Sequence, residues 1–281
     1  MTKVDTSNVK EVVAEIKHLE KCGCEIIRVA VKSMEDAAAI RKIKRSISIP
    51  LVSDIHFDYR LALRSIESGA DKIRLNPGNL RNKEEVFQVL KAAKKARIPI
   101  RIGVNSGSVG VKEKPDARNL LVGAALKYIK LFESVDFYNI VVSLKASSVR
   151  ETVAAYREMA GQGDYPLHLG VTASGAYEHG VVKSAIGIGA LLLDGIGDTI
   201  RVSLSAEPAE EVAAAKRILS AVGARNFGPD ILSCPTCGRC QVDIRGIVKD
   251  LERKISQSGV VWGSKKPLTV AVMGCDIFYI Y

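Results

Sequence analysis

Ile98-Pro-Ile-Arg-Ile-Gly-Val104 is a short apolar run between two segments with helical periodicity. Such a run is too short for a helix, and it is typical of a strand in a parallel sheet, whose two faces are both covered. The same alternation of apolar run and helical segment continues through residue 220. The candidate strands are Glu25–Val31, Ile49–Ser53, Lys72–Leu75, Ile98–Val104, Phe137–Leu144, Leu167–Val171 and Thr199–Leu204.

This alternation predicts an α/β fold of the (βα)₈ TIM-type barrel class, which has eight strands. The sequence offers seven candidates and opens with a loop and a helix, so we expect a barrel that lacks its first strand. A doubly wound open sheet would accept seven strands, but it usually carries a glycine-rich turn of fixed spacing after its first strand. Gly187, Gly189, Gly195 and Gly197 do not keep that spacing, which disfavours a dinucleotide-binding fold.

The pattern changes after about residue 224, where glycine and proline interrupt the chain before a cysteine-rich loop. A helix over Val242–Ser256 and a strand over Leu268–Met273 follow that loop. We therefore predict two domains: a barrel over 1–224 and a small α+β domain over 225–281.

Composition narrows the class of protein. No apolar run in the 281 residues is long enough to span a bilayer, and no signal peptide is recognisable, so we expect a cytoplasmic protein. The formal charge of +10 indicates anionic partners. Aromatic residues make up only 5% of the chain and no long basic block occurs, which disfavours a nucleic-acid binder and favours phosphorylated metabolites.

Five candidate strands each carry one cation between apolar neighbours. Alternation along a strand directs such a cation to the face opposite its neighbours, which in a barrel is the interior. A single buried cation commonly pairs with a carboxylate, but five repeats favour an anionic ligand, and arginine suits bidentate phosphate binding. A substrate with two phosphates fits best. The five cations are Arg28, Arg74, Arg101, Lys145 and Arg201.

Other polar residues lie near predicted strand ends. Asn76 and Asn105 follow their strands and are expected to complete a phosphate site. Asp54 and His56 are candidates for acid–base work, or alternatively form a polar turn that caps the next helix. His168 lies inside an apolar strand, where a buried core histidine and a ligand-binding histidine are both consistent with the pattern.

The cysteine loop predicts a metal site. Cys234 and Cys237 stand two residues apart, Cys240 follows at the same gap, and Cys275 arrives from a distant segment. Such a set of thiolates suits a soft metal centre. The six cysteines do not form a disulfide pattern, which indicates a reducing compartment.

Seven motifs in order along the chain resemble 4-hydroxy-3-methylbut-2-en-1-yl diphosphate synthases, over almost the whole length. They are Asp54-Ile-His-Phe-Asp58, Asp71-Lys-Ile-Arg-Leu-Asn-Pro-Gly-Asn79, Ile100-Arg-Ile-Gly-Val-Asn-Ser-Gly107, Ser143-Leu-Lys-Ala-Ser147, Leu167-His-Leu-Gly-Val-Thr172, Asp194-Gly-Ile-Gly-Asp-Thr-Ile-Arg-Val-Ser203 and Ser233-Cys-Pro-Thr-Cys-Gly238.

The resemblance implies a barrel followed by a [4Fe–4S] domain, working in the non-mevalonate route to isoprenoids. It implies reductive ring opening and dehydroxylation of 2-C-methyl-D-erythritol 2,4-cyclodiphosphate to 4-hydroxy-3-methylbut-2-enyl diphosphate. Ferredoxin or flavodoxin would supply two electrons. It also implies a homodimer in which the cluster domain of one subunit closes over the barrel of the other.

Position by position, the resemblance assigns diphosphate binding to the five cations, Asn76 and Asn105. It makes Ser147, His168 and Ser203 secondary contacts. It assigns the cluster ligands to Cys234, Cys237 and Cys275.

The chain departs from the family pattern in three places. Ala173 stands where the family has a glutamate. The sequence continues after Cys275 without the family's Asn-Gly-Pro-Gly-Glu, whose glutamate is the fourth cluster ligand, and Met1 aligns just after the family's first strand. We therefore expect a chain shortened at both ends, with reduced activity. Cys240, Asp276, or an exogenous thiol or water would replace the fourth ligand.

Two other functions stay open at this point. The four cysteines Cys234, Cys237, Cys240 and Cys275 would also suit a non-catalytic fragment that binds zinc or a cluster. A basic nucleic-acid binder is the other alternative, and only weak, salt-dependent association would support it.

Overall fold

The computed structural model describes residues 1–56, 58–76, 82–105, 117–172, 175–258, 260 and 268–274. The chain divides into two compact units, 1–218 and 219–281. The division lies a few residues before the predicted boundary at 224.

The first unit is built on parallel strands that follow one another in chain order. The first five form one sheet, the last two pair with each other, and a bridge between Val142 and Leu167 joins the two groups. Each of the seven candidate strands is present. They are β1 (Ile27–Val31), β2 (Leu51–Ile55), β3 (Lys72–Leu75), β4 (Ile100–Asn105), β5 (Ile140–Lys145), β6 (His168–Leu169) and β7 (Thr199–Ile200).

A helix precedes β1, and a helix follows every one of these strands. Among the described residues, no helix has the length and apolar character needed to cross a membrane. The helices are α1 (Val9–Cys22), α2 (Met34–Lys44), α3 (Tyr59–Glu67), α4 (Lys83–Ala96), α5 (Ala117–Glu133), α6 (Val149–Ala160), α7 (Tyr177–Leu193) and α8 (Pro208–Ala221).

Local sequence accounts for several helix starts. The side chain of Asn8 accepts a hydrogen bond from the N–H of Glu11 and so caps α1. Ser33 and Asp36 form a reciprocal capping box at the start of α2, and Asp58 caps α3. These caps fix where the chain turns from strand to helix.

The hydrophobic core lies between the strands and the helices. Ile16 and Ile40 from the helices, and Ile73 and Ile100 from the strands, are completely buried. Truncating one such side chain to alanine typically costs about 2–5 kcal/mol of stability. Because strand residues alternate between faces, this apolar face leaves the opposite face free for polar side chains.

Two aspartates fix the starts of strands. Asp71 Oδ2 accepts the N–H of Leu51 at 2.6 Å, and Asp198 Oδ2 accepts the N–H of Leu167 at 2.7 Å. Asp71 stands just before β3 and bonds the start of β2. Asp198 stands just before β7 and bonds the residue that precedes β6. These bonds help to set the register in which the inward-facing residues meet.

The second unit has a helix and two parallel strands among its described residues. They are β8 (Asp230–Ser233), α9 (Ile244–Gln257) and β9 (Thr269–Val272), with Ser233 opposite Val272. The predicted helix and the strand near Leu268 are present. The sequence did not indicate β8, because a four-residue strand beside the cysteine loop is too short to show periodicity.

Candidate active site

Charged residues form one row across three neighbouring strands. In the register of the sheet, Asp54 of β2 lies opposite Arg74 of β3, and Arg74 lies opposite Arg101 of β4. All three are buried. Asp54 therefore lies within a strand, and the alternative that placed it in a capping turn is wrong, since Asp58 caps the next helix.

Asp54 is the centre of a buried ionic cluster. Its Oδ1 lies 2.9 Å from Arg74 Nη1 and 3.7 Å from His56 Nε2, and its Oδ2 lies 3.5 Å from Arg28 Nε. Burial acts to raise the pKa of Asp54, but the neighbouring His56 and the charges of Arg28 and Arg74 hold it well below its ordinary value. The carboxylate is therefore ionised at neutral pH.

The cluster contains more positive than negative charge. Among the described residues, no carboxylate lies within ion-pairing distance of Arg101, Lys145 or Arg201. Burial and then Arg28 lower the pKa of Arg101 to about 9. Burial, with Arg201 next, lowers the pKa of Lys145 well below its ordinary value. Unbalanced buried cations are costly, so this arrangement is suited to an anion.

Several hydrogen-bonding atoms in this region have no partner among the described residues. They include Arg101 Nε, Arg201 Nε, Ser203 Oγ and His168 Nε2, all buried. The other ring nitrogen of His168 lies 2.9 Å from Thr199 Oγ1. A cavity of about 90 Å³ is lined by Arg28, Arg101, His168, Thr199 and Arg201, among others. Buried polar groups are normally satisfied, so these atoms are candidates for ligand binding.

Two glycines make room for the cations. A Cβ at Gly103 would lie 2.6 Å from Arg74 Nε. A Cβ at Gly170 would lie 2.7 Å from the carbonyl oxygen of Arg201 and 3.5 Å from Lys145 Nζ. Glycine at 103 therefore allows the guanidinium of Arg74 to lie against the strand, and glycine at 170 allows the close approach of the Arg201 backbone beside Lys145.

The remaining predicted residues lie around the carboxyl ends of the strands. Asn105 is the last residue of β4, opposite Lys145, and therefore lies in the strand and not beyond it. Asn76 is buried directly after β3. His56 is half-exposed after β2, and Ser147 is exposed after β5. In a barrel, this end of the strands is where active sites form.

The cysteine loop follows β8. The N–H of Cys234 donates to Val272 O at 3.0 Å, and the N–H of Cys240 donates to Cys237 O at 2.9 Å. Hydrogen bonds from Arg239 lower the pKa of the exposed Cys237 thiol. Two thiols on one tight loop fit a soft metal centre. Among the described residues no three metal-binding side chains come together, and Cys275, Asp276 and Ala173 lie outside those residues.

Cys240 has a different environment from the other two cysteines. Its thiol donates to Val242 O at 3.2 Å. A Cβ at Gly274 would lie 2.4 Å from Cys240 Sγ and 2.9 Å from Ile244 Cγ1, so the thiol is packed where a side chain at 274 would otherwise be. The N–H of Gln241 donates to Gly274 O, which anchors the loop beside β9.

Comparison with known proteins identifies the family. The GcpE TIM-barrel domain matches residues 1–216, and the GcpE protein C-terminal domain matches residues 230–278. The chain belongs to the GcpE family. The family predicted from the sequence is thereby confirmed.

Curated members of the GcpE family resemble the chain over nearly all of its length. A protein of Caldanaerobacter subterraneus subsp. tengcongensis is 51% identical, covering 99% of this chain and 78% of that protein. Proteins of Fusobacterium nucleatum and Clostridium perfringens are 48% and 49% identical, with 99% of this chain and 78% and 79% of those proteins covered. All three are named 4-hydroxy-3-methylbut-2-en-1-yl diphosphate synthase (flavodoxin).

Solved structures of distant proteins show the same barrel fold. Dihydropteroate synthase of Yersinia pestis superposes with a TM-score of 0.57 at 12% identity, covering 78% of this chain and 90% of that one. The enzyme of Xanthomonas albilineans gives 0.55 at 15% identity, covering 78% and 86%. The predicted TIM-type barrel class is confirmed.

Sequence reasoning missed some residues of this GcpE site. Lys72 lines the barrel cavity, and burial together with Arg101 lowers its pKa. The sequence did contain a signal for Lys72: it stands two residues before Arg74, and residues two apart on a strand face the same side. Gly103 and Gly170 also escaped notice, although a glycine inside a strand often marks a close backbone approach.

Proposed function

We propose that this chain catalyses the reductive conversion of 2-C-methyl-D-erythritol 2,4-cyclodiphosphate to 4-hydroxy-3-methylbut-2-enyl diphosphate in isoprenoid biosynthesis. It is an oxidoreductase of the GcpE family. Two electrons and two protons enter, a carbon–oxygen bond of the ring breaks, and a hydroxyl leaves as water. The names of the curated relatives support flavodoxin as the electron donor.

The observation that carries this proposal is the buried excess of cations. Arg101, Lys145 and Arg201 lie in the barrel without a carboxylate partner among the described residues. A cyclic diphosphate supplies two negatively charged groups whose oxygens can accept from several guanidinium donors at once. Binding of the substrate would therefore neutralise the barrel interior.

The proposed substrate contacts are the residues predicted from the sequence. The cations act with the amides of Asn76 and Asn105, and with the hydroxyls of Ser147 and Ser203. The complete cation set is Arg28, Arg74, Arg101, Lys145 and Arg201.

Three residues are proposed for acid–base and orienting roles. Asp54 remains ionised and holds Arg28 and Arg74 in position, since its pKa is lowered by His56 and both arginines against the effect of burial. His56 is half-exposed beside this carboxylate and is placed to exchange a proton with solvent. His168 presents its buried Nε2, which has no hydrogen-bond partner in the described part of the chain, as a hydrogen-bonding group in the barrel.

Cys234, Cys237 and Cys275 are the proposed ligands of a [4Fe–4S] cluster, which supplies the electrons when bound. The Cys234–Cys237 loop suits this group, with one thiol exposed and the loop bonded to β9. A homodimer and a cytoplasmic location complete the proposal. The boundary between barrel and cluster domain is proposed at residues 224 and 225.

The test is turnover by anaerobically reconstituted enzyme supplied with the cyclodiphosphate and reduced flavodoxin. We expect the linear diphosphate product, and we expect Arg101→Met to lose activity while the exposed Arg150→Met retains it. A brown, iron-containing protein is expected. A colourless zinc protein without turnover would favour the non-catalytic alternative.

A further inference from the structure

Two hydroxyl side chains of α6 reach the boundary between β5 and β6. This boundary, called the seam below, runs between residues 142–146 and 166–172. Thr152 and Tyr156 stand four residues apart and so share one face of the helix. Both are buried. The hydroxyl of Tyr156 accepts the N–H of Leu144 at 3.1 Å and donates to the carbonyl oxygen of His168.

Direct backbone hydrogen bonds join the two segments on either side of this contact. The N–H of Val142 donates to Pro166 O at 2.9 Å, and the N–H of Thr172 donates to Ala146 O at 3.1 Å. Both bonds belong to one parallel register. A parallel ladder repeats its bonds at every second residue, so a further bond is expected midway between these two.

Tyr156 occupies that midway position. In the shared register, the N–H of Leu144 would donate directly to the carbonyl oxygen of His168. The phenol oxygen instead bonds both groups and stands between them. The two backbones are therefore held apart by the width of one bridging oxygen, while neither polar group is left unsatisfied.

Thr152 makes a similar contact one step along the seam. Its Oγ1 accepts the N–H of Ala146 at 3.3 Å and lies 2.8 Å from the carbonyl oxygen of Ser148, to which it can donate. Two successive N–H groups on the edge of β5 that faces β6, those of Leu144 and Ala146, thus bond to helix side chains. Tyr156 bridges the two segments, whereas beside Thr152 the direct bond from Thr172 to Ala146 O remains.

The opened seam carries two residues of the proposed site. Lys145 ends β5 and His168 begins β6, and both face the barrel interior. Burial lowers the pKa of His168, and the charge of Lys145 lowers it further. Across from Lys145, Gly170 has no side chain, and a Cβ there would lie 3.5 Å from Lys145 Nζ. The spacing of β5 and β6 therefore sets where the ammonium and the imidazole lie.

We infer that Tyr156 is a positioning residue for the active site, acting through the backbone of β5 and β6, with Thr152 in support. This inference rests on the proposed function, because the groups that it positions are proposed to bind the substrate's phosphates. A role in packing alone would need only the aromatic ring, which phenylalanine also supplies. The hydroxyl is what sets the width of the seam.

Tyr156→Phe tests the inference, with Tyr165→Phe as the matched control. Tyr165 also donates a hydroxyl hydrogen bond, to Glu133, but its partner lies outside the seam. The probe is inorganic pyrophosphate, titrated by calorimetry, with the ring signals of His168 followed by NMR. Turnover of the cyclodiphosphate is measured at a temperature where each variant is fully folded.

We expect Tyr156→Phe to weaken pyrophosphate binding by about 10-fold or more, because small displacements of binding groups are costly. We also expect it to shift the His168 ring signals before ligand is added, and to lower kcat. Tyr165→Phe should bind as the unmodified protein does. Unchanged affinity and unchanged His168 signals in Tyr156→Phe would overturn the positioning role.

The outcomes separate this inference from the proposed function. If the unmodified protein neither binds pyrophosphate nor turns over the substrate, the proposed function fails, while the His168 signals still report on the seam. If Tyr156→Phe does not fold, Thr152→Val takes its place, with Thr152→Ser as the control that keeps the hydroxyl. Equal affinities and equal His168 signals in those two variants would overturn the inference.

Discussion

Arg74 Nη1 lies 2.9 Å from Asp54 Oδ1. Both side chains are buried, and the two residues stand opposite each other on neighbouring parallel strands. Asp54 also contacts Arg28 through its other oxygen. One carboxylate therefore pairs with two of the five barrel cations, and the other three have no carboxylate within ion-pairing distance among the described residues. This pair links the register of the sheet directly to the chemistry of the site.

Asp54→Asn should strongly destabilise the protein. Removing one partner of a buried ion pair leaves an uncompensated charge and typically costs about 3–5 kcal/mol. The free energy of unfolding, measured with urea, should fall by that amount. Asp58→Asn is the control, because Asp58 pairs with the exposed Arg60 and asparagine still caps α3, so its loss should stay below about 1 kcal/mol. Equal stabilities of the two variants would contradict the role of Asp54.

Gly103→Ala should displace Arg74 from Asp54. The new Cβ would lie 2.6 Å from Arg74 Nε, which requires the guanidinium to move. Overpacking of this kind costs about 1–3 kcal/mol, and we expect pyrophosphate affinity to fall by about 10-fold. Gly123→Ala is the control: its Cβ meets nothing within 4 Å, and alanine in α5 should stabilise the helix by about 0.5–1 kcal/mol. Unchanged anion affinity in Gly103→Ala would be evidence against the steric argument.

Lys145→Met should stabilise the ligand-free protein and reduce anion binding. Burial and then Arg201 lower the pKa of Lys145, so the folded state bears a cost for this group. Replacing such a charge with an apolar side chain should raise stability by about 1–3 kcal/mol, seen as a higher Tm. The exposed Lys127→Met should leave Tm nearly unchanged. A lower Tm in Lys145→Met would show that the ammonium is compensated within the fold.

The sequence predicted the fold well where patterns are local and repeated. Seven apolar runs marked seven strands, and a cation between apolar neighbours, within or directly after five of these runs, marked the inward face. Strand limits were less accurate than strand positions, at both ends of the strands. β6 was predicted over Leu167–Val171 but is two residues long, since the hydroxyl of Tyr156 takes the place of a ladder bond between β5 and β6. β7 was predicted over Thr199–Leu204 and is also two residues long.

Features that depend on contacts between distant segments could not be predicted. Asn8 caps α1, but Ser7 beside it has a similar capping preference, so the sequence alone does not choose between the two residues. The sequence predicted that this strand ends at Ser53, because aspartate is uncommon in strands, whereas Asp54 lies inside β2. Tyr156 looks like an ordinary apolar position of α6, and only the β5–β6 register reveals its hydroxyl at the seam.

Stability should fall as the pH drops through the range where an ordinary histidine titrates. Burial, with Lys145 next, lowers the pKa of His168 well below its ordinary value of 6.5, so the unfolded chain binds a proton that the folded state does not. Between pH 6.5 and 5.5 this difference should remove about 1 kcal/mol of stability. His168→Gln should lose less stability over that interval than the unmodified protein. His179→Gln, at an exposed position, should lose as much.

Cys240→Ser should retain iron after reconstitution, whereas Cys237→Ser should lose it. Cys240 already donates its thiol hydrogen to Val242 O and is packed against Gly274, which gives it a structural role that serine can fill. Cys237 is exposed on the loop, with Arg239 lowering its pKa, as suits a metal ligand. Iron and sulfide are quantified in anaerobically reconstituted protein, with circular dichroism confirming that both variants fold. Loss of iron in Cys240→Ser would instead identify Cys240 as a cluster ligand.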